Sequence, residues 1–338
     1  MIILTKLDKT AYERISVLVR EGKYPSIESF VEVAVRNQLL LETDDKVSVG
    51  LPSIQESVKT SGQSLAVPTR LPRTVESPHL SDAAKSTPLW GQVNRFAPMK
   101  FVLRILLNSL VSSDDDSVDL KRLSAEAAEK ASEFRIYAKK KDKKKRIRGE
   151  FLHIGFPKRD PRSQQRFLNY YVGKGPFQRW TDNITVGLSL ANIVEAEDGS
   201  RIVGLTKEGL RFAQLTSPLI DDFFVKGTQI DDALSHDEAA LLIDQIKSFR
   251  PGEYDFMNYG LAIIRQGTNT PVRLRDKISE FLKDKNLEIQ QSEKVTNTMQ
   301  VGLIGRLVEL RLLNIVKDAQ RSKYVLTEKA EDLIGKLG

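Results

Sequence analysis

Basic side chains are concentrated between Arg135 and Arg166, in the stretch RIYAKKKDKKKRIRGEFLHIGFPKRDPRSQQR. The stretch holds thirteen Lys or Arg and three Asp or Glu, a formal charge of +10, whereas the whole 338-residue chain carries +7. Charge this concentrated repels itself unless an anion neutralises it. A phosphate backbone suits it, because binding releases condensed counterions. The predicted contacts of this basic patch are Lys139, Lys140, Lys141, Lys143, Lys144, Lys145, Arg146 and Arg148.

The same stretch has other interpretations. A solvated loop or a helix extension would carry this charge without any partner. An acidic lipid surface is disfavoured, because the stretch has almost no apolar face. Aromatic residues follow closely, and they suit either stacking on bases or packing in a core. They are Phe151, Phe156, Phe167, Tyr170, Tyr171, Phe177 and Trp180.

Residue patterns that would support catalysis are sparse. The three histidines, His79, His153 and His236, have no metal-ligand spacing, and the chain has no cysteine. VGKGPF lacks the second half of a P-loop, and SSDDDS lacks the glycine and the terminal glutamate of a calcium loop. We therefore expect no enzyme, no cofactor and no metal site.

Composition sets the broad class of protein. Hydrophobic residues make up 40% of the chain, and no apolar run approaches the length of a transmembrane helix. Asp8, Glu13 and Arg14 interrupt the apolar stretch that a signal peptide needs. The sequence pI of about 9.3 favours a polyanionic partner. We expect a soluble, cytoplasmic, nucleoid-associated protein with no membrane partner.

The first forty residues predict a strand and two short helices. MIILTKL is strand-like, and the apolar positions between Lys9 and Glu21 fall on one helical face. Gly22 is placed as a C-cap, and Ser26 is placed to cap a second helix. Elements this small cannot bury a core alone, so they need a second copy of the chain.

Residues 5–39, TKLDKTAYERISVLVREGKYPSIESFVEVAVRNQL, resemble the ribbon-helix-helix family. The resemblance implies that residues 1–42 form an intertwined homodimer with an antiparallel ribbon. In that family the ribbon enters the major groove and the second helix binds phosphate at its N-terminus. Lys6, Lys23 and Ser26 are the DNA contacts it implies here. The outward Ile2 and Leu4 distinguish few bases, so reading bases and simple dimerisation both remain open.

Residues 43–97 are rich in Ser, Thr and Pro and keep no helical or strand period, which predicts a flexible linker. We expect Leu89, Trp90 and Phe96 to mark where ordered structure resumes. Helical patterns resume after Pro98. Ser117 is placed as a helix cap, Ser235 and Glu238 form a capping box, and Pro271 stands at the first turn of another helix.

Two later segments repeat one pattern. LANIVEAEDGSRIVGLTKEGLRFAQL (190–215) and LLNIVKDAQRSKYVLTEKAEDLIGKL (312–337) each carry Asn-Ile-Val, a polar turn and a strand ending in Leu-Thr. Each then continues as a short helix, for which Thr206 and Thr327 are the predicted N-caps. Both copies therefore predict a β-hairpin followed by a helix.

This pattern resembles the end of a winged-helix domain, and it implies two such domains. The first, 98–227, has helices near 99–112, 117–138 and 162–172, a basic insertion, and a helix near 177–190. The second, 228–338, has helices near 254–267, 271–284 and 292–313 and a wing at 314–326. In this family the third helix enters the major groove and the wing contacts phosphate. The implied DNA contacts are Arg179, Arg201, Lys294, Asn297, Thr298, Gln300, Arg321 and Lys323.

The sequence thus predicts a mainly α protein: a ribbon-helix-helix dimer, a linker, and a helical region with one or two winged-helix units. The expected function is DNA binding by a homodimer, or a higher oligomer, in transcription regulation. The alternative is a non-sequence-specific architectural or adaptor subunit within a larger complex for partition, repair or host defence. Winged helices also bind proteins, so other proteins of such a complex are possible partners.

Overall fold

The structure, a computed structural model, describes a few N-terminal residues and most of the chain from residue 72 onward. The N-terminal ones are Tyr12, Glu13, Ile15, Ser16, Arg20, Ser26 and Ile27. The second set is 72–338 without 114, 145–150, 174–182, 226–232, 286–291, 319–320 and 336–338. The chain divides into two compact units, Met1–Ile54 and Gln55–Gly338.

In the first unit the described residues between Tyr12 and Arg20 are helical, and Ile15 is buried. Ser26 directly precedes the helical Ile27. Both observations agree with the helices predicted there. The strand MIILTKL, including Lys6, and also Lys23 lie outside the described residues, so the ribbon-helix-helix dimer stays a prediction.

The second unit is mainly helical. Its first half contains a three-stranded antiparallel sheet of order β1-β3-β2, in which Val118 pairs with Val203 and Ala191 with Leu205. Its elements are α1 (Asp82–Ser86), α2 (Ala97–Ser113), β1 (Val118–Asp119), α3 (Leu120–Lys144), α4 (Pro161–Phe167), a π-helical turn (Leu168–Val172), α5 (Ile184–Gly187), β2 (Ala191–Glu195), β3 (Arg201–Leu205), α6 (Lys207–Gln214) and α7 (Pro218–Val225).

The second half ends in an antiparallel hairpin in which Leu313 pairs with Leu326. The amide of Tyr324 in this hairpin also donates to the carbonyl of Asn269, in the loop between two helices. The elements are α8 (His236–Phe249), α9 (Pro251–Arg265), α10 (Pro271–Asp284), α11 (Glu293–Glu309), β4 (Leu313–Asp318), β5 (Arg321–Leu326) and α12 (Glu328–Gly335). Within the described ranges no helix is long and apolar enough to cross a membrane.

Local capping signals set several helix boundaries. Thr206 accepts from the amide of Gly209, Thr327 accepts from that of Ala330, and Ser235 with Glu238 forms the capping box. These predictions and both hairpins are confirmed. The Ser117 cap is wrong: Asp119 accepts from the amide of Arg122 instead, because residues 118 and 119 pair with β3 before α3 begins.

The predicted linker is wrong from residue 72 onward. Leu80, Leu89, Val93 and Phe96 are at most 2% exposed and belong to a hydrophobic core that extends to Ala330. Leu89 and Phe96 were expected to mark the return of order, whereas Leu80 was missed because it lies among prolines and serines without a regular period. Residues 43–71 lie outside the described part of the chain.

We call residues 86–97 the strap, because they lie across α9 and α11 before entering α2. Glu253 of α9 accepts from the strap amide of Leu89 at 2.8 Å and from Nε of Arg306 at 2.7 Å. Arg306 of α11 also donates to the carbonyl of Val93 at 2.5 Å. Glu253 and Arg306 are fully buried, so paired charges and hydrogen bonds fix the strap to both helices.

A second buried ion pair joins the two halves. Nζ of Lys100 in α2 lies 3.0 Å from Oε1 of Glu238 in α8, and both side chains are fully buried. Nζ also donates to the carbonyls of Phe212 and Leu215 at the end of α6. Burial lowers the pKa of Lys100 to about 8 and raises that of Glu238. The boundary predicted between residues 227 and 228 therefore falls within one shared core.

Candidate nucleic-acid interface

The basic patch begins as an extension of α3. Lys139 and Lys140 are exposed on its last turns, and Nζ of the half-buried Lys141 lies 5.3 Å from the ring centroid of Tyr137. The backbones of Lys143 and Lys144 complete the helix, and their side chains are not described. Lys145, Arg146 and Arg148 lie outside the described residues. The exposed lysines thus project from a rigid element.

Two charged residues of the basic stretch hold the local structure together. Asp142 is buried, and its carboxylate accepts from the amides of Leu152 at 2.8 Å and His153 at 3.2 Å. Its Oδ2 also lies 2.5 Å from Nδ1 of His153. Arg135 donates to the carbonyls of His153 and Phe156 at 2.9 and 2.8 Å. These contacts fasten the chain after the patch back onto α3.

Helix α4 lies where a helix was predicted near 162–172, and it carries cations that were not among the predicted DNA contacts. Asp160 caps it by accepting from the amide of Ser163 at 2.8 Å, and Pro161 occupies its first turn. Arg162 and Arg166, one turn apart, are both exposed. The Asp-Pro pair is the sequence signal that places these two arginines on one short helix.

The start of α11 exposes part of the predicted contact set. Ser292 caps the helix, and Lys294 and Asn297 are exposed. The half-buried Thr298 donates its hydroxyl to the carbonyl of Lys294. The prediction for Gln300 is wrong: this side chain is 4% exposed and donates to the carbonyl of Pro271 at 2.6 Å. It faces α10, away from any base.

Another face of α11 is covered by the strap. A Cβ atom on Gly91 would overlap the carbonyl oxygen of Thr298, and one on Gly302 would overlap the backbone of Gly91. Gly305 approaches the carbonyl of Asn94 as closely. Only glycine permits backbones to approach this closely. The face that contains Gly302 and Gly305 is therefore internal.

A cleft of about 410 Å³ separates α4 from α11. The strap forms its floor, since Gly91 contacts α11 and Gln92 bonds to Tyr170. Arg166 is the one charged side chain among the described residues that line it. The lining residues are Gly91, Gln92, Asn94, Gly155, Phe156, Pro157, Ser163, Arg166, Phe167, Tyr170, Tyr171, Asn297, Thr298 and Val301.

We call Tyr170 and Tyr171 the aromatic wall of the cleft, and both side chains stay uncharged near neutral pH. The hydroxyl of Tyr170 donates to Oε1 of Gln92 at 2.8 Å, and that of Tyr171 donates to the carbonyl of Arg95 at 3.1 Å. Burial raises the pKa of both phenols, although the positive charge of Arg166 opposes this shift for Tyr170. Both hydroxyls therefore remain hydrogen-bond donors.

Three of the remaining predicted contacts belong to the strands of the two hairpins. Arg201 is exposed opposite Glu195, and Lys323 is half-buried opposite Val316. For Arg321 the structure describes the backbone alone.

The helix predicted near 177–190 is wrong in extent where it is described. Helix α5 covers Ile184–Gly187, and all four of its residues are buried. Asn183 holds it in place by accepting from the amide of Thr185 and donating to the carbonyl of Val172. Helix α5 cannot enter a DNA groove. Arg179 lies outside the described residues.

No cluster of three or more His, Asp or Glu side chains arranged to hold a metal ion occurs in the described part of the chain. Comparison with protein-family models, with curated proteins and with solved structures gives no match to this chain.

Proposed function

We propose that the protein binds duplex DNA as a dimeric transcription regulator, through the basic patch and the helix α11 of a second compact unit that contains two winged-helix units. The element order supports this assignment. In the first half α2, the short strand β1 and α3 come in this order, α4 and α5 follow before the β2–β3 hairpin, and β1 pairs beside β3. In the second half α8 comes first, α9, α10 and α11 then lead into the hairpin, and Asn269 bonds to β5 where a first strand would pair.

The observation that carries the proposal is that Arg166 and Asn297 line one cleft. Arg166 belongs to the basic stretch, and Asn297 belongs to the helix before the second hairpin. The fold brings together a cationic helix, which neutralises phosphates, and an exposed amide, which bonds to the edge of a base. Lys294 and Arg162 add charge on the same two helices.

Dimerisation through residues 1–42 would place two such surfaces on one duplex. Once one surface is bound, the second binds at the high effective concentration that its link to the first sets, which raises the overall affinity. In this proposal Lys6, Lys23 and the helix start at Ser26 contact phosphate beside the dimer axis.

Charge removal at the two ends of α3 tests the proposal. We expect Lys139→Gln/Lys140→Gln to weaken duplex binding for every sequence and to flatten the slope of log K against log salt by roughly 2, about 0.9 per lost phosphate contact. Fluorescence anisotropy at several salt concentrations measures both quantities.

The matched control is Lys121→Gln/Arg122→Gln, which removes two exposed charges about 27 Å away on the same helix, from the rise of 1.5 Å per residue. We expect the control to bind like the wild type. Equal losses in both variants would show that total charge alone drives binding, and an unchanged patch variant would remove α3 from the interface.

The burial of Gln300 and the covered face of α11 favour a second candidate function, the non-sequence-specific architectural or adaptor subunit. Of the base-reading side chains predicted on α11, Asn297 alone is exposed. Affinities for a selected duplex and a random duplex separate the candidates. A ratio of roughly 10³ or more supports the regulator, and a ratio near one supports the adaptor.

A further inference from the structure

We propose that the cleft between α4 and α11 is a binding site for one nucleotide, whose phosphate pairs with Arg166 and whose base lies between the aromatic wall and α11. The nucleotide is either a free mononucleotide or an unstacked nucleotide of a strand. Binding of the free form does not depend on the proposed function, whereas binding of a strand extends it.

The cleft has the dimensions of a small-molecule site. Its volume of about 410 Å³ falls within the roughly 300–1,000 Å³ typical of such sites. The side chains of Phe156, Phe167 and Tyr171 are almost fully buried behind it, which gives the cleft a rigid apolar back. Gly155 lets its own loop pack closely against Pro98 of α2. It has a φ of +87°, and a Cβ atom at this position would collide with Pro98.

The charge of the lining selects an anion. No Asp or Glu occurs among the described residues that line the cleft, and Arg166 makes no ion pair within the described part of the chain. A guanidinium presents paired donors that match two phosphate oxygens. Arg162, one turn earlier on α4, is equally exposed but does not line the cleft.

The polar lining suits the edge of a base. The Tyr170 hydroxyl donates to Oε1 of Gln92, which fixes that amide and keeps its NH₂ group as a donor. On the α11 side, Asn297 offers a second, exposed amide. Asn94 has a buried Oδ1 that accepts no hydrogen bond from the described residues, so a ligand donor would remove an unsatisfied acceptor. Such amides pair with the donor and acceptor of adenine.

Two pairs of variants test the site by calorimetry with dAMP and by anisotropy with a labelled single-stranded oligo(dA). Arg166→Ala removes the phosphate partner, and Arg122→Ala, which removes an exposed arginine at the start of α3, is its control. Val301→Trp fills the cleft from a side chain that is 53% exposed, and Val272→Trp is its control at an exposed position on α10. We expect the first member of each pair to weaken binding at least about tenfold, and the second to leave it unchanged.

The probe for which the cleft variants weaken binding and the controls do not identifies the source of the nucleotide. If dAMP shows it, the site takes a free nucleotide; if only oligo(dA) shows it, the site takes a nucleotide of a strand. The proposal is overturned if neither probe binds saturably, or if each control weakens binding as much as its partner.

Duplex binding by the same proteins separates this proposal from the proposed function. A wild type that binds duplex but shows the cleft pattern with neither probe loses the nucleotide site and keeps the proposed function. A wild type that binds dAMP in the cleft but no duplex keeps the site and loses the proposed function.

Discussion

Glu309, the last residue of α11, makes the stability of the strap depend on pH. Its carboxylate accepts from the amides of Phe96 and Ala97, and burial raises its pKa to about 7 from a reference value of 4.5. Between these two pH values the folded chain holds a proton that the unfolded chain has released. The bound proton therefore stabilises the folded chain fully below pH 4.5, and this stabilisation is lost as the pH rises through 7.

The magnitude follows from these two pKa values. One pKa unit corresponds to about 1.36 kcal/mol, and linkage between pH 5.5 and 8.0 gives a decrease of about 2 kcal/mol in the free energy of unfolding from Glu309. Urea denaturation of the wild type and of Glu309→Gln at both pH values measures it. Because glutamine does not titrate, we expect the difference between the two proteins to change by that amount.

Glu129→Gln, at an exposed position on α3, is the control, and its difference from the wild type should be the same at both pH values. The proton on Glu309 is ruled out if the free energy of unfolding of the wild type, relative to that of Glu309→Gln, is the same at both pH values or increases as the pH rises. In that case the two amides and the positive charge of Arg95 keep the carboxylate ionised throughout.

Three further perturbations test the fold. Lys100→Met leaves Glu238 buried without its partner and should destabilise the protein by about 3–5 kcal/mol, measured by urea denaturation; Lys100→Met/Glu238→Gln should recover part of this loss. Gly91→Ala forces the strap away from Thr298 and should speed hydrogen exchange of the strap amides, whereas unchanged protection would contradict the close contact. Deletion of residues 1–54 should leave a cooperatively folding monomer, and light scattering that still reports a dimer would place dimerisation in the second unit.

The elements that sequence reasoning predicted depend on short-range physics. The hairpin after Asn192, the caps at Thr206 and Thr327 and the capping box at Ser235 each depend on residues a few positions apart, and their side chains signal the structure directly. The exposure of Lys294 and Asn297 followed from the same local reading of α11. The burial of Gln300 could not be predicted in this way, because its side chain bonds to the carbonyl of Pro271 on another helix.

The contacts of the strap and the cleft could not be predicted in this way, because they join segments that are distant in the sequence. Leu89 and Phe96 signal the return of order, but their partners do not follow from the local sequence. The backbone amides of Leu89 and Phe96 donate to Glu253 and Glu309, more than 150 residues later in the chain. The cleft combines three segments, represented by Gln92, Arg166 and Asn297, and none of them forms a motif by itself. Long-range contacts of this kind leave no period in the sequence.

The strap links the buried charges to the candidate sites. Arg306 and Glu309 hold it from α11, and the same helix presents Asn297 and Val301 to the cleft. The cleft floor and one of its walls are therefore held by the same buried groups. A change that loosens these groups should move the floor relative to the wall, and nucleotide binding should then weaken before the fold is lost. In Glu309→Gln, a dAMP affinity that falls while the unfolding transition remains cooperative would show this coupling, because Glu309 does not line the cleft.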